Sequence, residues 1–438
     1  MPFHKQKQTQ KGASAKAHRP FRKRHTYAQH SQTESKPAAE QKTVPVNAAY
    51  LRTSDCFRIF KYCSVLLLVV FVLFMFTFYR ENITIENFRF FLRYIDTRNP
   101  DRNDESVIKY DSSSISTATL YKGSVAVADS DSLQIYDLNG DSIFIDQQRF
   151  SNPNLLASEQ YILSYNTGGT TYRIYNSVAR LHEQTLDYQI SSASINRNGM
   201  YCIVSKTKEY RASVSVFDQE FKVLYQWFSP DKFVMDTAIS DNNRSFIILS
   251  CTTNITGSAV SEILLCELGT DEKTAVVQLP NIVALSVCYN SGGGFTVLCD
   301  DGFRYYDKNA EQISFLSFNG VTPVKAGFQN GYSFYAVNKN VVGSDHTICV
   351  AENKTGSIQY QGNVTGEITD YVFTDQALFL LMERQLVMVP LSGGDILYRN
   401  VTVNGTGLLA VDQQRLLLCF PEKTELIDIQ ARFYESAQ

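Results

Sequence analysis

The feature that most constrains this chain is a strand-turn-strand unit that recurs eight times across its C-terminal three quarters. One copy starts at Gly123 and reads GSVAVADSDSLQIYDLNG: an apolar strand, a polar turn, a second strand and an Asx-Gly turn. Others begin at Tyr161, Met200, Ser245, Gly294, Tyr332, Ala377 and Arg415, spaced about 40 residues apart. Weaker strands precede them, as in VMDTAIS from Val234 and TDYVFTD from Thr369. Val, Ile, Tyr, Phe and Thr dominate the strands, with Asn, Asp and Gly at the turns. No helix of ordinary length interrupts this pattern over roughly 330 residues, far from the usual mix.

A period near 40 with four short strands per unit predicts an all-β fold, a β-propeller, with eight blades. Seven blades would result if one unit were an insertion. A single four-stranded sheet cannot cover both its faces, so the units must stack around an axis. The ring must also close, because open end blades would expose strand edges. The last unit runs out near Leu426, whereas ESVIKYD from Glu105 stands before the first unit without a partner. This segment is expected to supply a strand to the last blade.

Upstream, YCSVLLLVVFVLFMFTFY runs from Tyr62 to Tyr79 through Leu66, Val70, Phe74 and Phe78 without a charge. About 18 apolar residues suffice to cross a bilayer core of ~30 Å. No small-residue cleavage site follows, so the stretch is read as an uncleaved signal anchor. Residues 1–61 carry a net charge of +10 and residues 80–438 a net of −13. The basic side should stay in the cytoplasm. Arg58 and Lys61 are balanced by arginines just after the span, so the orientation rests on the distal tail charges, Lys5, Lys7, Lys11, Lys16, Arg19, Arg22, Lys23 and Arg24. The expected layout is a disordered cytoplasmic tail (1–61), a transmembrane helix (62–79), a juxtamembrane amphipathic helix with linker (80–105) and an extracytoplasmic propeller (106–438). The tail has too few large apolar residues to fold alone. Its basic cluster fixes topology, and no nucleic-acid partner is expected.

In layout the chain resembles a family of single-pass membrane proteins from clostridial Firmicutes, known as a domain of unknown function. The resemblance rests on the basic tail, the single span, the short helix around Ile85–Ile95 and the propeller texture. It implies a bacterial extracytoplasmic module and carries over no catalytic residues.

Traces of propeller enzymes are absent. Quinone-dependent rings use repeated tryptophan motifs, and the one tryptophan here is Trp227. Sialidase boxes and Trp-Asp repeats do not occur. His182 and His346 are read as solvated turn residues, and Asp129-Ser130-Asp131 and Asp300-Asp301-Gly302 as tight turns rather than calcium loops. No catalytic residue, cofactor or metal site is therefore assigned. Seven of the nine cysteines follow the span and fit as small buried hydrophobes. Two symmetric placements suggest candidate disulfides, Cys251 with Cys266 and Cys288 with Cys299. Seven Asn-x-Ser/Thr sequons also follow the span, at Asn82, Asn243, Asn254, Asn353, Asn363, Asn400 and Asn404.

These features point to a membrane-anchored, non-catalytic binding or scaffolding module at the cell envelope. Its partners would be the lipid bilayer and a protein or envelope glycan. The alternatives are an envelope glycan hydrolase or lyase with carboxylates at the channel mouth, and a transmembrane sensor.

Overall fold

The computed structural model describes residues 48–78, 107–110, 115–269, 273–340, 343–401 and 404–434. The chain divides into two compact units, Met1–Tyr79 and Arg80–Gln438. In the first unit, α1 (Ala48–Phe78) contains a stretch, Cys56–Phe74, with a mean hydropathy of 2.2. It is the one described helix long and apolar enough to cross a membrane. Tyr62, Leu66, Val70 and Phe74 are exposed along it. Phe78 ends the helix. Tyr79, the tail charges Arg19, Arg22, Lys23 and Arg24, the juxtamembrane helix and Asn82 lie outside the described residues.

The second unit is an eight-bladed β-propeller. Eight four-stranded antiparallel sheets follow one another in chain order. Blade 1 consists of β2 (Thr117–Tyr121), β3 (Ser124–Ala128), β4 (Ser132–Tyr136) and β5 (Ser142–Gln147). Blades 2 to 8 span about residues 153–185, 190–229, 233–280, 284–317, 325–365, 368–400 and 407–428. All eight repeat units of the sequence are the two middle strands of a blade, and the weaker strand before each is its first strand.

The core is divided among the blades. Eight apolar clusters fill the eight junctions between neighbouring sheets. Alternate residues of one strand serve opposite junctions. In β15 (Ser245–Thr253), Phe246 and Ile248 face blade 3, whereas Ile247 and Leu249 face blade 5. A strand covered on both faces reads as a continuous apolar run, which is why the middle strands lack period two. Outer strands such as β9 (Arg180–Thr185) keep the alternation, because one face meets solvent.

Ring closure follows the expectation from Glu105–Asp111. Strand β1 (Val107–Lys109) joins blade 8 as its outermost strand, with Val107 opposite Glu425 and Lys109 opposite Lys423. Ile108 is fully buried between blades 8 and 1. The Tyr110 and Thr424 hydroxyls are hydrogen-bonded beside it. A second fastening was not foreseen. The short helix α2 (Ile429–Phe433), capped by the Asp428 carboxylate, buries Phe433 against Phe379 of blade 7. Arg399 donates to the Arg432 and Phe433 carbonyls that end this helix.

Tight turns join the third and fourth strands of several blades. Asp137 accepts from the amides of Asn139 and Asp141, at 3.0 and 2.9 Å. Asp218 and Asp307 repeat this in blades 3 and 5. The fourth turn residue needs a left-handed backbone, supplied by Gly140 (φ 92°) but also by Phe221 (φ 66°) and Ala310 (φ 64°).

Candidate functional site

Because strands alternate in direction, each face of the ring collects its own loops. The turns between second and third strands and the connections between blades share one face, called upper here. That face is chemically uneven. Most of its large exposed apolar side chains lie on blades 3 to 6, among them Tyr210, Phe228, Phe233, Met235, Ile255 and Leu285. The Tyr210 and Phe228 rings pack at 5.2 Å, and the Arg211 guanidinium lies 4.9 Å from the Phe233 ring. Blade 4 rises above its neighbours. Strands β15 and β16 (Ala259–Glu267) have nine residues each and continue past Cys251, where the pairing of β14 (Phe233–Ile239) begins. Ile255 at the tip of their turn is fully exposed.

The channel side of this face carries bulges. In blades 3, 4, 5 and 7 the first strand carries a register shift near the upper face. The extra residue, Ser191, Met235, Leu285 or Thr369, is exposed. A bulge turns the next side chain out of regular order. In blade 4 that residue is Asp236, whose carboxylate accepts from the Val287 amide at 2.9 Å and the Ser286 hydroxyl at 2.5 Å, both on blade 5. Asp370 of blade 7 likewise accepts from the Leu408 amide of blade 8 at 2.9 Å. Burial pushes the Asp236 pKa above the ordinary carboxylate range, against the opposing effect of these hydrogen bonds. Both carboxylates next to the channel therefore brace neighbouring blades. Sequence reasoning missed them, since a bulge leaves no mark in an apolar-polar pattern.

A separate cleft opens between blades 1 and 2 on the same face, with a volume of about 700 Å³. Its walls are the turn after β3, the end of β5 with Ile145 and Gln147, the strap that follows it and the upper end of β8 (Thr171–Tyr175). Arg173 lies at its base, bonded to the Gln147 carbonyl at 2.7 Å and paired with Asp146 and Glu183 at 3.3 and 2.9 Å.

Other expected residues fall as follows. The two candidate disulfides are corrected by strand register. Cys251 stands opposite Ser261 and Cys266 opposite Phe246, an offset of five residues. That is ~17 Å along the strands, beyond the reach of a disulfide, whose Cα atoms lie within about 7 Å. Cys288 faces Thr296, three residues from Cys299. All nine cysteines are free. Burial pushes the Cys202 and Cys288 thiols up to about 12 and those of Cys299 and Cys419 to about 11, which keeps them protonated and inert.

His182 and His346 are not solvated turn residues. His182 stacks on Phe221 at 5.0 Å, and His346 is buried within β24 (Asp345–Glu352). The two Asp pairs do form tight turns. Asp129 accepts from the Asp131 and Ser132 amides at 2.7 Å, and Asp301 pairs with Arg304 at 2.6 Å. No group of His, Cys, Asp and Glu able to hold a metal occurs among the described residues. Asn353 is buried, accepting from Ser333 and donating to the Cys288 sulfur, so its sequon is closed in the folded ring.

Comparison with known proteins agrees with this architecture. Residues 100–429 match a family of unknown function, DUF5711. The chain belongs to that family. No curated protein sequence matches it. Among solved structures, the C-terminal WD40 domain of Sif2 superposes with a TM-score of 0.53 at 13% identity, covering 74% of this chain and 98% of that one. Sqt1 from Saccharomyces cerevisiae gives 0.52 at 8% identity, covering 74% and 97%. At such identities the likeness concerns the fold alone.

Proposed function

We propose that this protein is a single-pass membrane protein whose propeller acts outside the membrane as a non-catalytic binding or scaffolding module for a protein partner. The observation that carries the binding role is the apolar arc on blades 3 to 6 of the upper face. Exposed aromatic and aliphatic side chains gathered on one side of a soluble domain mark interaction surfaces. Tyr210, Phe228 and Phe233 are of the kind that anchors protein interfaces, and Arg211 beside Phe233 adds a cation at the rim. Membrane anchoring is supported by the apolar stretch Cys56–Phe74. Orientation is supported by Arg19, Arg22, Lys23 and Arg24, with Arg58 and Lys61 beside the span. The enzyme reading gains nothing from Asp236 and Asp370, whose carboxylates are engaged by backbone amides.

Crosslinking on intact cells followed by capture tests this reading. Replacing Tyr210, Phe228 and Phe233 together by serine should abolish the captured protein while leaving the melting temperature of the ring near that of the parent. An unchanged set of captured proteins would overturn it. Protease added to the same cells should remove the propeller and spare an N-terminal tag. The opposite pattern would reverse the orientation.

A further inference from the structure

The cleft between blades 1 and 2 lies away from the apolar arc and has a different chemistry. Its volume, about 700 Å³, falls within the ~300–1,000 Å³ typical of small-ligand sites. Its walls are held in place by the fold. The Gln148 amide donates to the Asp131 carbonyl at 2.7 Å, and the Phe150 amide to the Ser130 carbonyl at 3.0 Å. The Gln148 side chain is buried and bonds back to the Asp129 and Ser132 carbonyls. Arg149, fixed between these two anchored residues, is exposed, and its side chain has no partner among the described residues. The Asp131 carboxylate, on the segment hydrogen-bonded to that of Arg149, is likewise exposed, with no partner among the described residues. The Gln147 side chain stands beside them, with the Ser132 and Thr171 hydroxyls.

Beside the half-exposed Ile145, the cleft presents a carboxylate that only accepts, a guanidinium that only donates and an amide that does both. An apolar ligand would leave these groups unsatisfied once covered, which is costly. A nucleotide finds no open ring to stack on, because Phe150 is buried and Arg173 covers it at 5.5 Å. A simple anion would meet Asp131 as well as Arg149. Hydroxyl groups each donate and accept, so a polyol satisfies all three side chains together.

We infer that this cleft binds a neutral, hydroxyl-rich oligosaccharide, with Asp131, Gln147 and Arg149 as its recognition residues. This goes beyond the protein-docking role of the arc and does not depend on it. The full chain in detergent is titrated with chitotetraose, cellotetraose, tetragalacturonate and inorganic phosphate, and binding is followed by calorimetry. A neutral tetrasaccharide should bind, and Asp131→Ala or Arg149→Ala should weaken it by about tenfold or more. Both positions are exposed, so the melting temperature should not move. A Gln147→Trp variant, which fills the cleft, should abolish binding. Three outcomes would overturn the inference: no binding of either neutral probe, binding only of tetragalacturonate or phosphate, or neutral binding that the variants leave intact. The Tyr210, Phe228 and Phe233 serine variant should retain sugar binding, so failure of the sugar site and failure of the docking arc are separately visible.

Discussion

Asp236 shows how much a single side chain does in this ring. It bridges blades 4 and 5 next to the channel, accepting from Ser286, Val287 and Thr237. Asparagine in its place would aim an amide donor at one of these donors, so Asp236→Asn should cost about 1–3 kcal/mol. Burial raises the folded pKa above the unfolded value of about 3.9. The stability linked to this titration is therefore complete below that value and is lost as pH rises through the folded pKa. The stability gap between parent and Asp236→Asn, measured by urea unfolding, should shrink from acidic to neutral pH. A gap that widens would contradict the assignment. The Asx turns were legible at residue level because Asp at the first position and Gly140 at the fourth have a local physical cause. Phe221 and Ala310 hold the same left-handed position without a glycine signature.

At the scale of elements, closure decides stability. Strand β1 has three residues, yet it covers the outer edge of blade 8 and buries Ile108. Deleting residues 105–111 should lower the melting temperature far more than deleting residues 437–438. Ile108→Ala alone should cost about 2–5 kcal/mol, the usual loss for a fully buried large aliphatic side chain. Equal melting temperatures for the two deletions, read by circular dichroism, would argue against this closure. The pairing was legible because ESVIKYD was a strand without a neighbour beside a final unit that lacked one. The α2 fastening was not legible. Five residues are too few for a helical pattern, and the helix depends on Phe379 and Arg399, which come from earlier in the chain.

For the whole molecule, the eight junction cores mean that no blade stands alone, and the cysteines sit within or beside these cores as packing residues. Denatured without reductant, the propeller should expose seven alkylatable thiols by mass, one for each cysteine after the span. A mass showing five or three would restore one or two bridges. In the native ring, Cys202 and Cys419 should resist alkylation at neutral pH, because both are buried and burial holds both thiols protonated.

By itself the sequence determined that this chain is a propeller of four-stranded units preceded by one long apolar run, and its repeat favoured eight blades over seven. The repeat, the turns and the run Tyr62–Tyr79 are local patterns with local causes, and they survive in one dimension. What lies between blades was decided only by the tertiary structure. The bulges that turn Asp236 and Asp370 toward their neighbours, the apolar arc and the polar cleft each join residues from different sheets, and the cysteines are separated by the register within single sheets. Their positions depend on strand offset and blade stacking, and a hydrophobic pattern specifies neither.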